Sequence, residues 1–394
     1  MLNRRTLRIK AMQTLYAWQR VRASDFQLSE DRIREAFDPV LVAKDTIPDK
    51  GLLKQQEKEA LALFKQSYEK PDFSFAEEVE DIVKQAVVDG RNYHKELRQK
   101  DLKFLRQQML VGADQVHNRY IQLLQLLLEL GLQNERDYEE RKERASHKEE
   151  VTTLPSLSLR NNPLLKNLEN HEGLQQLVAK YNVSWVEDRD EVRRWYRELA
   201  GSDYYKAFQK LEAPSEAEYR QVLMDILKQL VFKSEALVQF MEDLDLNWEE
   251  NAEVLRSMLR KTVKAIPMDE ETSFELIDLS PNWEEDRLFF EDLFDHTMKE
   301  DEYTDEVVAE HAKNWEFDRI AATDKIILKM AITEMIHFPS VPVKVTINEY
   351  IEISKQYSTP KSKQFVNGML DVIAEHLKNS GTIRKSGRGL IDNK

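Results

Sequence analysis

The chain has 394 residues, no cysteine, and 58 basic against 72 acidic side chains, for a net charge of −14. This composition excludes disulfides, thiolate metal sites and cysteine nucleophiles, suits a reducing cytoplasm, and on average repels nucleic acid. Only 10 glycines and 11 prolines punctuate it, so an all-α chain of two or three domains is expected.

The charge is unevenly spread. Residues 1–24 hold Arg4, Arg5, Arg8, Lys10, Arg20 and Arg22 with no acid, a local +6, and residues 376–394 carry +4, which leaves −24 for the rest. Two basic ends around an acidic body point to an anionic partner at the ends. No apolar run reaches the ~20 residues of a membrane span, and the start MLNRRTLRIK lacks the apolar block of a signal peptide. No membrane association is expected.

In chain order, the period predicts a first helix from Arg4 to Ala23. Leu7, Ala11, Leu15 and Trp18 share one face, and Ile9, Met12 and Tyr16 share another, the pattern of a helix held between layers. Its cations crowd the first turns, where the helix dipole disfavours them. Residues 25–50 read as irregular around Pro39, Pro48 and Gly51, followed by helices over about 51–69 and 75–89. A long helical region runs from about Tyr93 to Arg144, with Gly112 or Gly131 as breaks. Pro155, Pro163 and their polar neighbours mark a linker at 150–163. Short helices follow, and residues 215–266 read as two helices joined by DLDLN.

Asn-Trp-Glu recurs at Asn247, Asn282 and Asn314, and reads as helix starts rather than as a repeat, with Asn247 and Glu250 as a cap pair. Toward the C-terminus, Thr346 and Glu349 have capping-box spacing, and Thr359-Pro360 has the form of an N-cap with proline at the first helical position. Gly368 lies within an apolar stripe, as either a close helix crossing or a tolerated glycine.

Catalytic and metal chemistry is missing from the motifs. Asp243 to Asn247 starts like a calcium loop, yet Trp248 and Val254 stand where glycine and glutamate are needed. The eight histidines show no zinc spacing, and neither a phosphate-cradling glycine loop nor a nucleophile elbow occurs. No catalytic residue, cofactor or metal ligand is assigned.

Three ordered stretches carry a resemblance: RRTLRIKAMQTLYAW, NWEFDRIAATDKIILKMAITEM and VPVKVTINEYIEISKQYSTPKSKQFVNGMLD. Together they resemble the first helix and the C-terminal signature of the NusB transcription antitermination family. The resemblance implies an all-α fold of NusB-like helical bundles with a large all-helical insertion. Residues 1–24 with 281–380 would form the RNA-binding core, 25–280 the insertion, and 381–394 a flexible basic tail.

It further implies a non-enzymatic factor that binds the boxA segment of nascent ribosomal RNA. The partners would be a small-subunit ribosomal protein (also called NusE) and the RNA polymerase antitermination complex. RNA contacts would fall on Arg4, Arg5, Arg8, Lys10, Tyr16, Lys361, Lys363 and Phe365, with the arginines outside the core. Contacts to the protein partner would fall on Glu334, Asn348 and Glu349. Thr6 replaces a usual basic position, and Pro360-Lys361 replaces an acidic pair. The same fold fronts ribosomal RNA cytosine methyltransferases, but those need a cysteine nucleophile and a nucleotide-binding α/β domain. The alternative is an all-helical protein-binding scaffold without RNA binding.

Overall fold

A computed structural model describes residues 1–42, 49–70, 72–146, 154, 156–312 and 320–393. Among the described residues the secondary structure is helical, with no strand. The chain divides into a terminal unit, Arg4–Val111 with Arg287–Lys394, and a middle unit, Met1–Asn3 with Gly112–Asp286. The boundaries expected from sequence lay at 24/25 and 280/281; the units part at 111/112 and 286/287.

In the terminal unit, α1 spans Arg4–Glu35. It runs well past Ala23 because nothing breaks it before Pro39, and the Ser29 hydroxyl bonds back to the Asp25 carbonyl within the helix. A short α2 (Pro39–Val42) and α3 (Lys50–Ser67) follow, the latter capped by Asp49, whose carboxylate accepts from Gly51 N–H at 2.8 Å. The helix α4 is one piece from Asp81 to Ser146. Neither Gly112 nor Gly131 breaks it; each costs only about 1 kcal/mol in a helix interior, and strong helix formers surround both. Where α4 crosses α1, Gly90 admits Ile33, whose side chain lies 2.6 Å from where a Cβ would stand. Ile33, Phe37, Phe64, Val83 and Val87 close a core there.

The middle unit contains α4 from Gly112 onward, then α5 (Pro163–Glu169), α6 (Glu172–Tyr181), α7 (Arg189–Gly201) and α8 (Asp203–Gln209). Next, α9 (Glu216–Asp225) runs into a π-helical turn, Ile226–Val231, and is followed by α10 (Glu235–Leu244) and α11 (Trp248–Ala265). Tyr120, Trp185, Trp195 and Tyr205 fill its core, and the Tyr120 hydroxyl meets Thr262 Oγ1 at 2.6 Å.

Residues 215–266 form three helices rather than two, α9 with its π-helical turn, α10 and α11; DLDLN joins the last two, and Asn247 makes no side-chain cap. Asp245 replaces it, accepting from Asn247 N–H and from the Asn251 side chain, both at 2.9 Å. At Asn282 the side chain accepts from Glu285 N–H at 3.3 Å. Asn314 lies outside the described residues, as does part of the expected linker at 150–163.

The C-terminal half of the terminal unit comprises α12 (Trp283–Lys299, most of it here), α13 (Asp301–His311), α14 (Ala322–His337), α15 (Val343–Tyr357) and α16 (Ser362–Asn379). Every residue of α14 from Ile326 to Met335 is buried, the property of a helix enclosed by others, and α1, α13, α15 and α16 all pack on it.

Two caps differ from expectation. α15 begins at Val343, so Thr346 and Glu349 lie inside it and their side chains serve other partners. α16 begins at Ser362, two residues past Pro360. Gly368 is exposed with open space around it, which leaves tolerance as its explanation. The close approach falls instead at Gly389, where a Cβ would stand 2.0 Å from the Pro339 carbonyl oxygen. Residues 387–393, expected as a flexible tail, form a 3-10 turn, and just before it Ser386 N–H donates to Pro339 O at 3.0 Å.

Candidate nucleic-acid interface

The first turns of α1 lie against α14 and α15, and ion pairs fix them there. Arg8 is 3% exposed and Glu334 is fully buried. The Arg8 guanidinium donates through Nε to Glu334 Oε2 and through Nη2 to Oε1, both at 2.7 Å. Thr346 Oγ1 donates to the same carboxylate at 2.9 Å and the Tyr350 hydroxyl at 3.2 Å. Glu334 thus accepts four hydrogen bonds, the capacity of a carboxylate. Burial alone would pull the Arg8 pKa down; the Glu334 charge and hydrogen bonds reverse this and hold it above the ordinary arginine value. Burial, with the Glu334 charge behind it, keeps the Tyr350 hydroxyl protonated far above its usual range.

The expectation that the arginines lie outside the core therefore fails for Arg8, and Lys10 is also buried. Glu334, expected at a partner surface, is instead the counter-charge of Arg8. The physical reason is that a helix on a fully enclosed α14 must bury one of its own faces, and the cation there needs a carboxylate. An acid inside the apolar run of AITEM was the visible signal, but its partner stands 326 residues away.

Arg5, one turn earlier, is exposed and makes the solvent-side copy of this pair, with Nε to Glu349 Oε2 at 2.7 Å and Nη2 to Oε1 at 2.8 Å. Those hydrogen bonds raise its pKa above the ordinary arginine value. Arg4 and Arg8 both lie over the Phe289 ring, at 4.9 and 5.1 Å. Tyr16 is exposed, with Arg20 over its ring at 4.8 Å and bonded to its hydroxyl at 2.6 Å.

On α16, Lys361 and Lys363 are exposed at the start of the helix and Phe365 is half-buried. A buried Asp324 fixes that start: Ser362 Oγ donates to its Oδ2 at 2.7 Å, while Ser358 donates to Ser362 at 2.9 Å. Sequence reasoning missed Asp324 and the structural role of Ser362. Asn348 is exposed on α15, next to Glu349. The terminal unit carries 36 basic and 36 acidic residues, and the middle unit 22 and 36, so the net −14 falls to the middle unit.

Among the described residues no group of histidines and acids could hold a metal, and no helix is long and apolar enough to cross a membrane. The arrangement defines a class: an all-helical protein whose basic N-terminal helix is clamped onto a C-terminal helical bundle. The sequence profile of the NusB family matches residues 217–375, a range that includes 217–280 of the expected insertion. The chain is 46% identical over 126 residues to the transcription antitermination protein NusB of Salinibacter ruber, covering 32% of this chain and 71% of that protein. It is 53% identical over 85 residues to NusB of Chloroherpeton thalassium, 22% of this chain and 40% of the relative. Against NusB of Koribacter versatilis it is 44% identical over 94 residues, 24% and 64%. The chain belongs to the NusB family. No solved structure matches it.

Proposed function

We propose that this protein is a non-catalytic transcription antitermination factor that binds boxA-type single-stranded RNA of nascent ribosomal transcripts. It would act with a small-subunit ribosomal protein within the RNA polymerase antitermination complex. Family membership supports the class. One observation carries the RNA contact: α1 holds two bidentate arginine–carboxylate pairs of opposite accessibility. Arg8, locked to buried Glu334, sets the position of the helix. Arg5 presents the same geometry to solvent, where a phosphate can take over from Glu349. Arg4, Lys361 and Lys363 would add phosphate contacts, and Tyr16 and Phe365 stacking surfaces; Arg8 and Lys10 would support the helix from within. Asn348 and Glu349 would face the protein partner.

The test is a titration of a short single-stranded RNA across a range of salt. Replacing Arg4 and Arg5 with glutamine should flatten the slope of log affinity against log salt by about 1.4 units if both meet phosphates. Phe365→Ala should weaken binding by roughly 1–3 kcal/mol with the slope kept. Glu349→Gln should tighten binding, because Arg5 loses its internal competitor. Unchanged affinity and slope in the Arg4/Arg5 variant would leave the protein-binding scaffold, which the acidity of the middle unit favours.

A further inference from the structure

The middle unit exposes an apolar ridge that the reading above does not use. Leu246, in the turn between α10 and α11, is 97% exposed, and Val186 is 58% exposed. Leu244 at the end of α10 is exposed too, and Phe240, one turn earlier, is half-buried. Two hydrogen bonds gather these side chains at one turn of α4. The Arg119 guanidinium donates to the Leu244 carbonyl at 2.6 Å, and the indole of Trp185, which precedes Val186, donates to the Gln122 carbonyl at 3.2 Å. Arg119 and the Gln122 side chain are themselves joined at 2.7 Å.

The ridge stands on a fixed base. The Phe240 ring lies 5.0 Å from that of Trp195 and 5.9 Å from that of Trp185, and both tryptophans are buried. Single exposed apolar side chains are ordinary on a soluble protein, whereas several on one rigid support mark a surface that meets another protein. Leu246 is so exposed that folding gains nothing from its being apolar.

Charge defines the partner. Beside the ridge, α7 and α10 enclose a cleft of about 730 Å³, with Phe240 and Ala236 as its apolar floor. Four acids line it, Glu191, Glu198, Glu235 and Asp243, against one cation, Arg194, which Glu191 holds at 2.5 Å. Glu198 and Asp243 accept only from neutral donors, Ser234 at 2.7 Å and Gln239 at 3.0 Å. No cation lies within ion-pair distance of Glu198, Glu235 or Asp243 among the described residues. Of the other cations in these segments, Arg193 turns to Glu140 at 2.7 Å, and Arg189, Arg197 and Lys233 do not line the cleft.

We infer that the ridge and cleft dock a basic, amphipathic segment of a protein partner. Its apolar side chains rest on Val186, Leu244 and Leu246. Its lysines or arginines lay their aliphatic stems over Phe240 and reach Glu198, Glu235 and Asp243. The carboxylates repel a nucleic-acid backbone. A second copy of this chain, meeting the first through the same face, would set these acids against themselves. The inference does not depend on the RNA reading.

The test titrates the full chain by calorimetry with a synthetic helical peptide that carries leucines on one face and lysines on the other. Saturable binding with one site per chain is expected. Leu246→Ser, at a side chain that leaves the fold alone, should weaken it by roughly tenfold, as for a leucine no longer buried. Glu235→Gln with Asp243→Asn should weaken it and reduce its salt dependence. No saturable heat from the parent, parental affinity in the Leu246 variant, or equal affinity for an all-lysine peptide overturns the inference. A dimer of the parent that Leu246→Ser abolishes overturns it too, and assigns the ridge to a second copy.

Discussion

Arg8 shows how one residue can be read correctly in type and wrongly in place. Its cation is essential to α1, but through Glu334 rather than through a ligand. Glu334→Ala would leave a guanidinium buried and unpaired, and should cost about 3–5 kcal/mol in urea melts. Arg8→Met with Glu334→Leu should recover most of that, because the cost belongs to the orphaned charge. Asp25 makes the opposite case. It is almost fully buried, one carboxylate oxygen has no partner, and burial and then the neighbouring Asp101 charge raise its pKa to about 6. A carboxyl raised on folding stabilises fully below its unfolded value of 3.8, and that contribution is lost as pH rises through about 6. Asp25→Asn should therefore stabilise the protein at pH 7 by roughly 1–3 kcal/mol and flatten the fall in stability between pH 4 and 6. Melts across pH read both effects.

At the scale of elements, helical period made α15 and α16 legible, while α14 was reached through the family resemblance; of the two apolar faces of α1, Leu7, Ala11, Leu15 and Trp18 are buried, but Tyr16 on the other is exposed. Element ends were not legible. Thr346 and Glu349 matched a capping box by spacing, yet their side chains answer Glu334 and Arg5, partners that only tertiary contact supplies. The glycines divide the same way. Gly368→Ala, in open space within α16, should stabilise by about 1 kcal/mol. Gly389→Ala would drive a methyl into the Pro339 backbone and should cost about 1–3 kcal/mol. Faster amide exchange at Ser386 and Gly389 would mark release of the C-terminal turn; unchanged exchange would mean that the contact is dispensable.

For the whole molecule, net charge and folding unit coincide: the terminal unit is neutral and the middle unit carries −14. The sequence revealed basic ends and an acidic body, but not that acids after residue 286 would balance the basic end. A net negative charge slows the approach of RNA by long-range repulsion. Replacing the exposed Glu187, Glu242 and Glu253 with glutamine should raise the association rate for single-stranded RNA at low salt. The difference should fade near 0.15 M salt, where the screening length is about 8 Å. Stopped-flow mixing at two salt concentrations measures it, and a rate unaffected by the changes at low salt would limit steering to the binding face.

The Arg8–Glu334 pair also sets a clock. Its members are 326 residues apart, so a ribosome adding about 5–20 residues per second needs roughly 15–65 s to make the second after the first. During that interval the arginines of α1 emerge without the carboxylates that later hold them. Newborn chains pass through a phase in which their most basic segment is at its most exposed, and completing the C-terminal helices ends it.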